Sequence, residues 1–110
     1  MKIFLVTNSR KGKKIGKRLE EDYIVEWKEG NEPFKMTKND YAILSDDINL
    51  SEYMEKGKKL ILLVKEKEYS YIFSLAQKER VIDIIDINQE EEEIIQRIKR
   101  KIGKRKKAEE

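Results

Sequence analysis

A chain of 110 residues in which 43% are charged, with a net charge of only +3, suits a single domain whose attraction to nucleic acid must come from local patches. The absence of cysteine and histidine excludes disulfides, thiol nucleophiles, imidazole bases and the usual zinc ligands, leaving carboxylates, lysines, hydroxyls and backbone for any chemistry. The longest apolar run, Leu60 to Val64, is far too short to span a bilayer and the first residues lack the apolar core of a signal peptide, so no membrane contact and a cytoplasmic location are expected.

The first strand-like run, Ile3 to Thr7, is apolar as far as Val6. It leads into a helix crowded with Arg10, Lys11, Lys13, Lys14, Lys17 and Arg18, whose inner stripe reads Gly12, Ile15, Gly16 and Leu19. Small residues in that stripe let the helix lie close on a sheet. The second run, Tyr23 to Lys28, carries charges within it. After it the stretch from Glu29 to Asp40 contains Gly30, Pro33 and few apolar residues, so the helix expected there is short or absent. The third run, Tyr41 to Ser45, ends at Asp46 and Asp47. Asn49 with Glu52 then has the spacing of a helix start, and Gly57 is a natural stop.

The fourth run, Leu60 to Lys65, is apolar up to its last residue. Tyr69, Tyr71 and Phe73 follow, around the start of a helix with a core stripe of Ile72, Leu75 and Ala76. The fifth run, Val81 to Ile87, has charges inside it, and Asn88 with Glu91 repeats the helix-start spacing. In the last helix Ile94, Ile95, Ile98 and Ile102 align. Glu90 to Glu93 fill its first turn and Arg97, Lys99, Arg100 and Lys101 approach its end, an order that complements the helix dipole. The domain is expected to span residues 1–103, with 104–110 a charged flexible tail or the start of a linker.

Strands alternating with helices predict an α/β domain of three layers, a parallel sheet with helices on both faces. Runs one, three and four are apolar throughout over Ile3 to Val6, Ala42 to Leu44 and Leu60 to Val64, as strands buried on both sides should be. Runs two and five carry charges, a common protection of exposed edges. The predicted strand order is therefore 2-1-3-4-5.

Over residues 1–103 this layout resembles the response-regulator receiver family, which has a flavodoxin-like fold. The resemblance is carried by Asp47-Ile48-Asn49-Leu50 after the third strand and by Glu92-Glu93-Ile94-Ile95-Gln96-Arg97-Ile98 in the last helix. It implies a phosphoaccepting role for Asp47, which requires a magnesium ion held by several oxygens. Receivers place an acidic pair after strand one, where this chain has Thr7 and Asn8. They place a hydroxyl after strand four, where it has Val64 and Lys65, and a lysine with a following proline after strand five, where it has Ile87 and Asn88. Successive strand residues project to opposite sides, so Asp46 does not simply replace the missing pair. Asp46, Asp47, Thr7, Asn8 and Lys65 thus read as a vestigial phosphoacceptor corner in a degenerate receiver, with no catalytic residue, metal or cofactor expected.

The stretch from Asn8 to Ile15 also looks faintly like a flavodoxin phosphate loop, with Ser9, Arg10, Lys11 and Lys13 as its anion-binding candidates, although the hydroxyl run of such loops is reduced to Thr7 and Ser9. It lacks the Gly-Lys-Ser or Gly-Lys-Thr ending of a P-loop. The plainer reading of these lysines is the wet face of an amphipathic helix. Tyr69, Tyr71 and Phe73 are the candidate interaction face, since receivers commonly pair through their fourth and fifth helices. The leading expectation is a regulatory, non-enzymatic domain that binds a protein partner or a second copy of itself, and that is followed by further sequence if the chain is a fragment. A phosphoacceptor using Asp47 is the first alternative. Behind it stands a phosphate-, nucleotide- or nucleic-acid-binding module using the basic first loop and the basic run from Arg97 to Lys107.

Overall fold

The residues from Ile3 to Val6 form β1, and every one of them is buried. In the computed structural model, which describes residues 1–28, 35–45, 59–65 and 81–109, four further strands follow: β2 (Val25–Lys28), β3 (Tyr41–Ser45), β4 (Leu60–Val64) and β5 (Val81–Asp86). Two helices are described, α1 (Arg10–Leu19) and α2 (Glu91–Glu109). All strands run parallel in the order β2-β1-β3-β4-β5. The uncharged strands β1, β3 and β4 occupy the centre, buried at every position, and the charge-bearing β2 and β5 are the edges.

Alternation along the strands builds two cores. One face gathers Ile3, Leu5, Tyr41, Ile43, Ile61, Leu63 and Ile85 under Ile15 and Leu19 of α1 and the four isoleucines of α2, all at the spacing read from the sequence. Phe4, Val6, Ala42, Leu44, Leu60, Leu62 and Val64 form the other, equally buried, with Met36, Val81 and Ile84 against it. Both described helices cover the first face; the equal burial of the second and the strand order are those of a three-layer α/β fold of flavodoxin-like type.

Glycines set the distance between α1 and the sheet. A Cβ at Gly16 would collide with Leu5 Cδ2 and with Trp27 Cη2, and one at Gly12 would collide with the Thr7 hydroxyl. The helix lies at a separation only glycine permits. Arg18 of α1 pairs with Glu92 of α2 at 2.6 Å, and Lys99 of α2 pairs with Asp22, in the turn after α1, at 2.6 Å. The hydrogen bond that Arg18 donates to Glu92 holds Arg18 above its ordinary pKa and holds Glu92 below the usual carboxylate range.

One helix start departs from the sequence reading, and two further details add to it. α2 begins at Glu91, and the Glu90 carbonyl accepts the first helical N–H, from Ile94, so Glu90 and not Asn88 is the capping residue. Asn88 stands instead in the preceding turn, its N–H donated to Asp86 Oδ1 at 2.8 Å. The helical backbone also continues past Ile102 as far as Glu109. Gly103 lowers helix propensity by about 1 kcal/mol but does not by itself end a helix. Finally, β5 holds a bulge, because Leu60 pairs with Val81 and the next residue, Ile61, with Asp83. Between β2 and β3, the described residues 35–40 are turn and irregular structure. The predicted helix starts and stop at Asn49, Glu52 and Gly57 lie outside the described residues.

Candidate functional site

Going from β1 to β2 the chain moves to one side of β1, and β3 lies on the other, so the carboxyl ends of β1 and β3 flank the point where open α/β sheets hold ligands. β1 supplies Thr7, Asn8 and Ser9 there, and β3 supplies Ser45. Ser9 is the N-cap of α1: its Oγ accepts from Gly12 N–H at 3.1 Å, and its carbonyl accepts from Lys13. Thr7 Oγ1 accepts from the Ser9 N–H at 3.0 Å and from the Ser45 hydroxyl at 2.8 Å. Gly12 packs directly on that threonine. The corner is knitted by neutral hydrogen bonds joining β1, β3 and the first turn of α1.

Ser45 is fully buried, the polar last residue of an otherwise apolar strand. The sequence reading passed over it, although a lone hydroxyl at the end of such a run is itself a signal, since a buried hydroxyl requires a partner. Asp46 and Asp47, which follow it, lie outside the described residues, as do Tyr69, Tyr71 and Phe73. Lys65 is exposed at the end of β4, and Asn8 is exposed beside Thr7. Ile87, at the position where receivers carry lysine, is buried, and its N–H bonds to the Val64 carbonyl at 2.8 Å.

The four anion-binding candidates do not converge. Ser9 uses its hydroxyl as a cap, and Lys11 reaches the Gln89 carbonyl in the turn before α2. Arg10 and Lys13 point to solvent. Among the described residues, no three acidic, histidine or cysteine side chains are grouped to hold a metal ion. The described chemistry of the corner is that of neutral hydroxyls and backbone amides.

Two polar clusters elsewhere are structural in character. On the β5 edge Arg97 grips Asp83 in a fork, with Nε to Oδ2 at 2.9 Å and Nη2 to Oδ1 at 2.7 Å, and these hydrogen bonds to Asp83 raise the Arg97 pKa. An open groove of about 340 Å³ runs beside this pair along α2, lined by both acids and arginines, and does not reach the β1–β3 corner. At the amino end of the sheet, buried Asp40 accepts from the Lys2 N–H at 2.8 Å and from the N–H and hydroxyl of Thr37 at 2.9 and 3.0 Å. Burial works against the charged carboxylate, but the hydrogen bonds from Thr37 and Lys2 outweigh it and hold the group below the usual range.

Among the described residues no helix is long and apolar enough to cross a membrane. No protein-family model matches the sequence, and no curated protein matches it either.

Proposed function

We propose that this chain is a receiver-like binding domain that has no phosphoryl chemistry and acts by docking a protein partner or a second copy of itself. One observation carries the reading: Thr7, at the position where receivers hold an acidic residue, is neutral, and its oxygen is occupied by donors from Ser9 and Ser45. A magnesium site needs one or two carboxylates turned toward the ion, with water and phosphate oxygens completing its shell. Here the same position ties two strands and a helix together. The composition agrees, since no histidine or cysteine offers a different nucleophile or base.

The test is an amide NMR titration of the chain with beryllofluoride and magnesium. The expected spectrum is unchanged. Shifts centred on Asp47 overturn the proposal in favour of a working phosphoacceptor. Sedimentation velocity over a concentration series then separates the two modes of binding: a mass that rises with concentration marks self-association, and a constant monomer leaves the partner protein.

A further inference from the structure

Helix α1 has six cations and no acidic residue among its ten positions; Lys17 and Arg18 in its last turn suit the helix dipole, but the cations of its first turn oppose it. No acid in its first turn answers the positive end of the helix dipole. Arg10 and Lys14, Lys13 and Lys17, and Lys14 and Arg18 are like charges four residues apart, which repel one another. Its neighbour α2 does the opposite, with Glu91, Glu92 and Glu93 in its first turn. The fold uses two of the six cations, Lys11 on the Gln89 carbonyl and Arg18 on Glu92. The other four, Arg10, Lys13, Lys14 and Lys17, are exposed, and among the described residues no ion pair engages them. At helical spacing they form one stripe about 10 Å long, on the side of α1 opposite its buried Gly12, Ile15, Gly16 and Leu19.

We infer that this stripe binds the phosphate backbone of a nucleic-acid duplex without reading its sequence. Its chemistry separates this occupant from the others. Protein interfaces are poor in lysine and centre on aromatic anchors, and α1 contains no aromatic residue. A helix lying on a membrane turns its apolar face to the lipid, whereas every apolar side chain of α1 is buried against the sheet. Single strands are gripped by stacking side chains, which the helix lacks. A rigid row of exposed cations, unpaired among the described residues, fits duplex phosphates, where affinity comes from charge neutralisation and counterion release. The inference uses none of Thr7, Ser45 and Asp47, so it stands or falls separately from the function proposed above.

The experiment is fluorescence anisotropy of a short labelled DNA duplex titrated with the full chain at two salt concentrations. Four phosphate contacts predict an affinity that falls on the order of 150-fold between about 50 and 200 mM salt. Lys14→Gln lowers the slope of log affinity against log salt by about one, and the combined variant R10Q/K13Q/K14Q/K17Q removes most of the binding. That variant melts no lower than the parent, because four repelling charges are gone. Replacing Arg100 and Lys101 of α2 by Gln leaves the stripe's contribution in place. Parental affinity and slope in the combined variant overturn the inference. So does the absence of binding at low salt, or binding of polyglutamate or of anionic phosphatidylserine vesicles as tight as that of the duplex.

Discussion

Asp40 closes the amino end of the sheet by accepting three hydrogen bonds, one of them from the N–H of Lys2, 38 positions away. Its carboxyl is held below its unfolded pKa, so the stability it adds is complete above about pH 4 and is lost as the pH falls through the lower folded value. Asp40→Asn is expected to cost about 1–2 kcal/mol at neutral pH and progressively less in acid, which urea melts at several pH values measure directly. Thr7 and Ser45 make the matching clasp at the carboxyl end. Ser45→Ala removes one buried hydrogen bond, at about 1 kcal/mol, while Thr7→Val strands two donors and costs about 1–3 kcal/mol. A double-mutant cycle between them should return a coupling of about 1 kcal/mol, and strict additivity would show that their hydrogen bond contributes nothing. Neither clasp was legible in advance, because each joins residues far apart in the chain.

At the scale of elements, periodicity carried the prediction. The stripes Gly12-Ile15-Gly16-Leu19 and Ile94-Ile95-Ile98-Ile102 are the buried faces of α1 and α2, and unbroken apolar runs marked the central strands. Helix ends were less legible, because Asn88 and Glu90 both precede an acidic run, and the choice between them was made by the turn that leaves β5 through Asp86. Gly16→Ala tests the close seating of α1. The alanine gains about 1 kcal/mol of helix propensity but drives a methyl into Leu5 and the Trp27 ring, for a net loss of about 1–2 kcal/mol in chemical denaturation. On the β5 edge, Arg97→Ala leaves the largely buried Asp83 carboxylate unpaired and is expected to cost about 2 kcal/mol. Arg97→Met combined with Asp83→Leu should recover most of that, since removing both charges removes the penalty.

For the whole molecule, the centre-to-edge gradient of burial sets the order in which the structure opens. Amides of β1, β3 and β4 should exchange slowest with deuterium, those of the half-exposed β2 fastest among the strands. Equal protection in β2 and β4 would contradict the described edge. Ile24 and Trp27 are exposed at that edge, where Glu26 forms ion pairs with Lys2 and Lys28, and charged side chains on an edge strand discourage pairing with another sheet. Charge is divided across the molecule as well: acids and bases interleave where α1 meets α2, and the outward side of α1 is purely basic.

The sequence by itself determined the class of fold, the order of the strands and the inward faces of both described helices, because these follow from hydrophobic periodicity and from where charge interrupts it. It also placed Thr7 and Asn8 at the end of β1, where the receiver resemblance calls for acids. Tertiary structure alone decided what those residues do. Burial of Ser45 beside Thr7 turns a loop hydroxyl into a joint between strands, and the packing of α1 on α2 engages Lys11 and Arg18, whereas Arg10, Lys13, Lys14 and Lys17 have no ion pair among the described residues. Those outcomes depend on partners far apart in the sequence, and only the folded chain brings them within hydrogen-bonding distance.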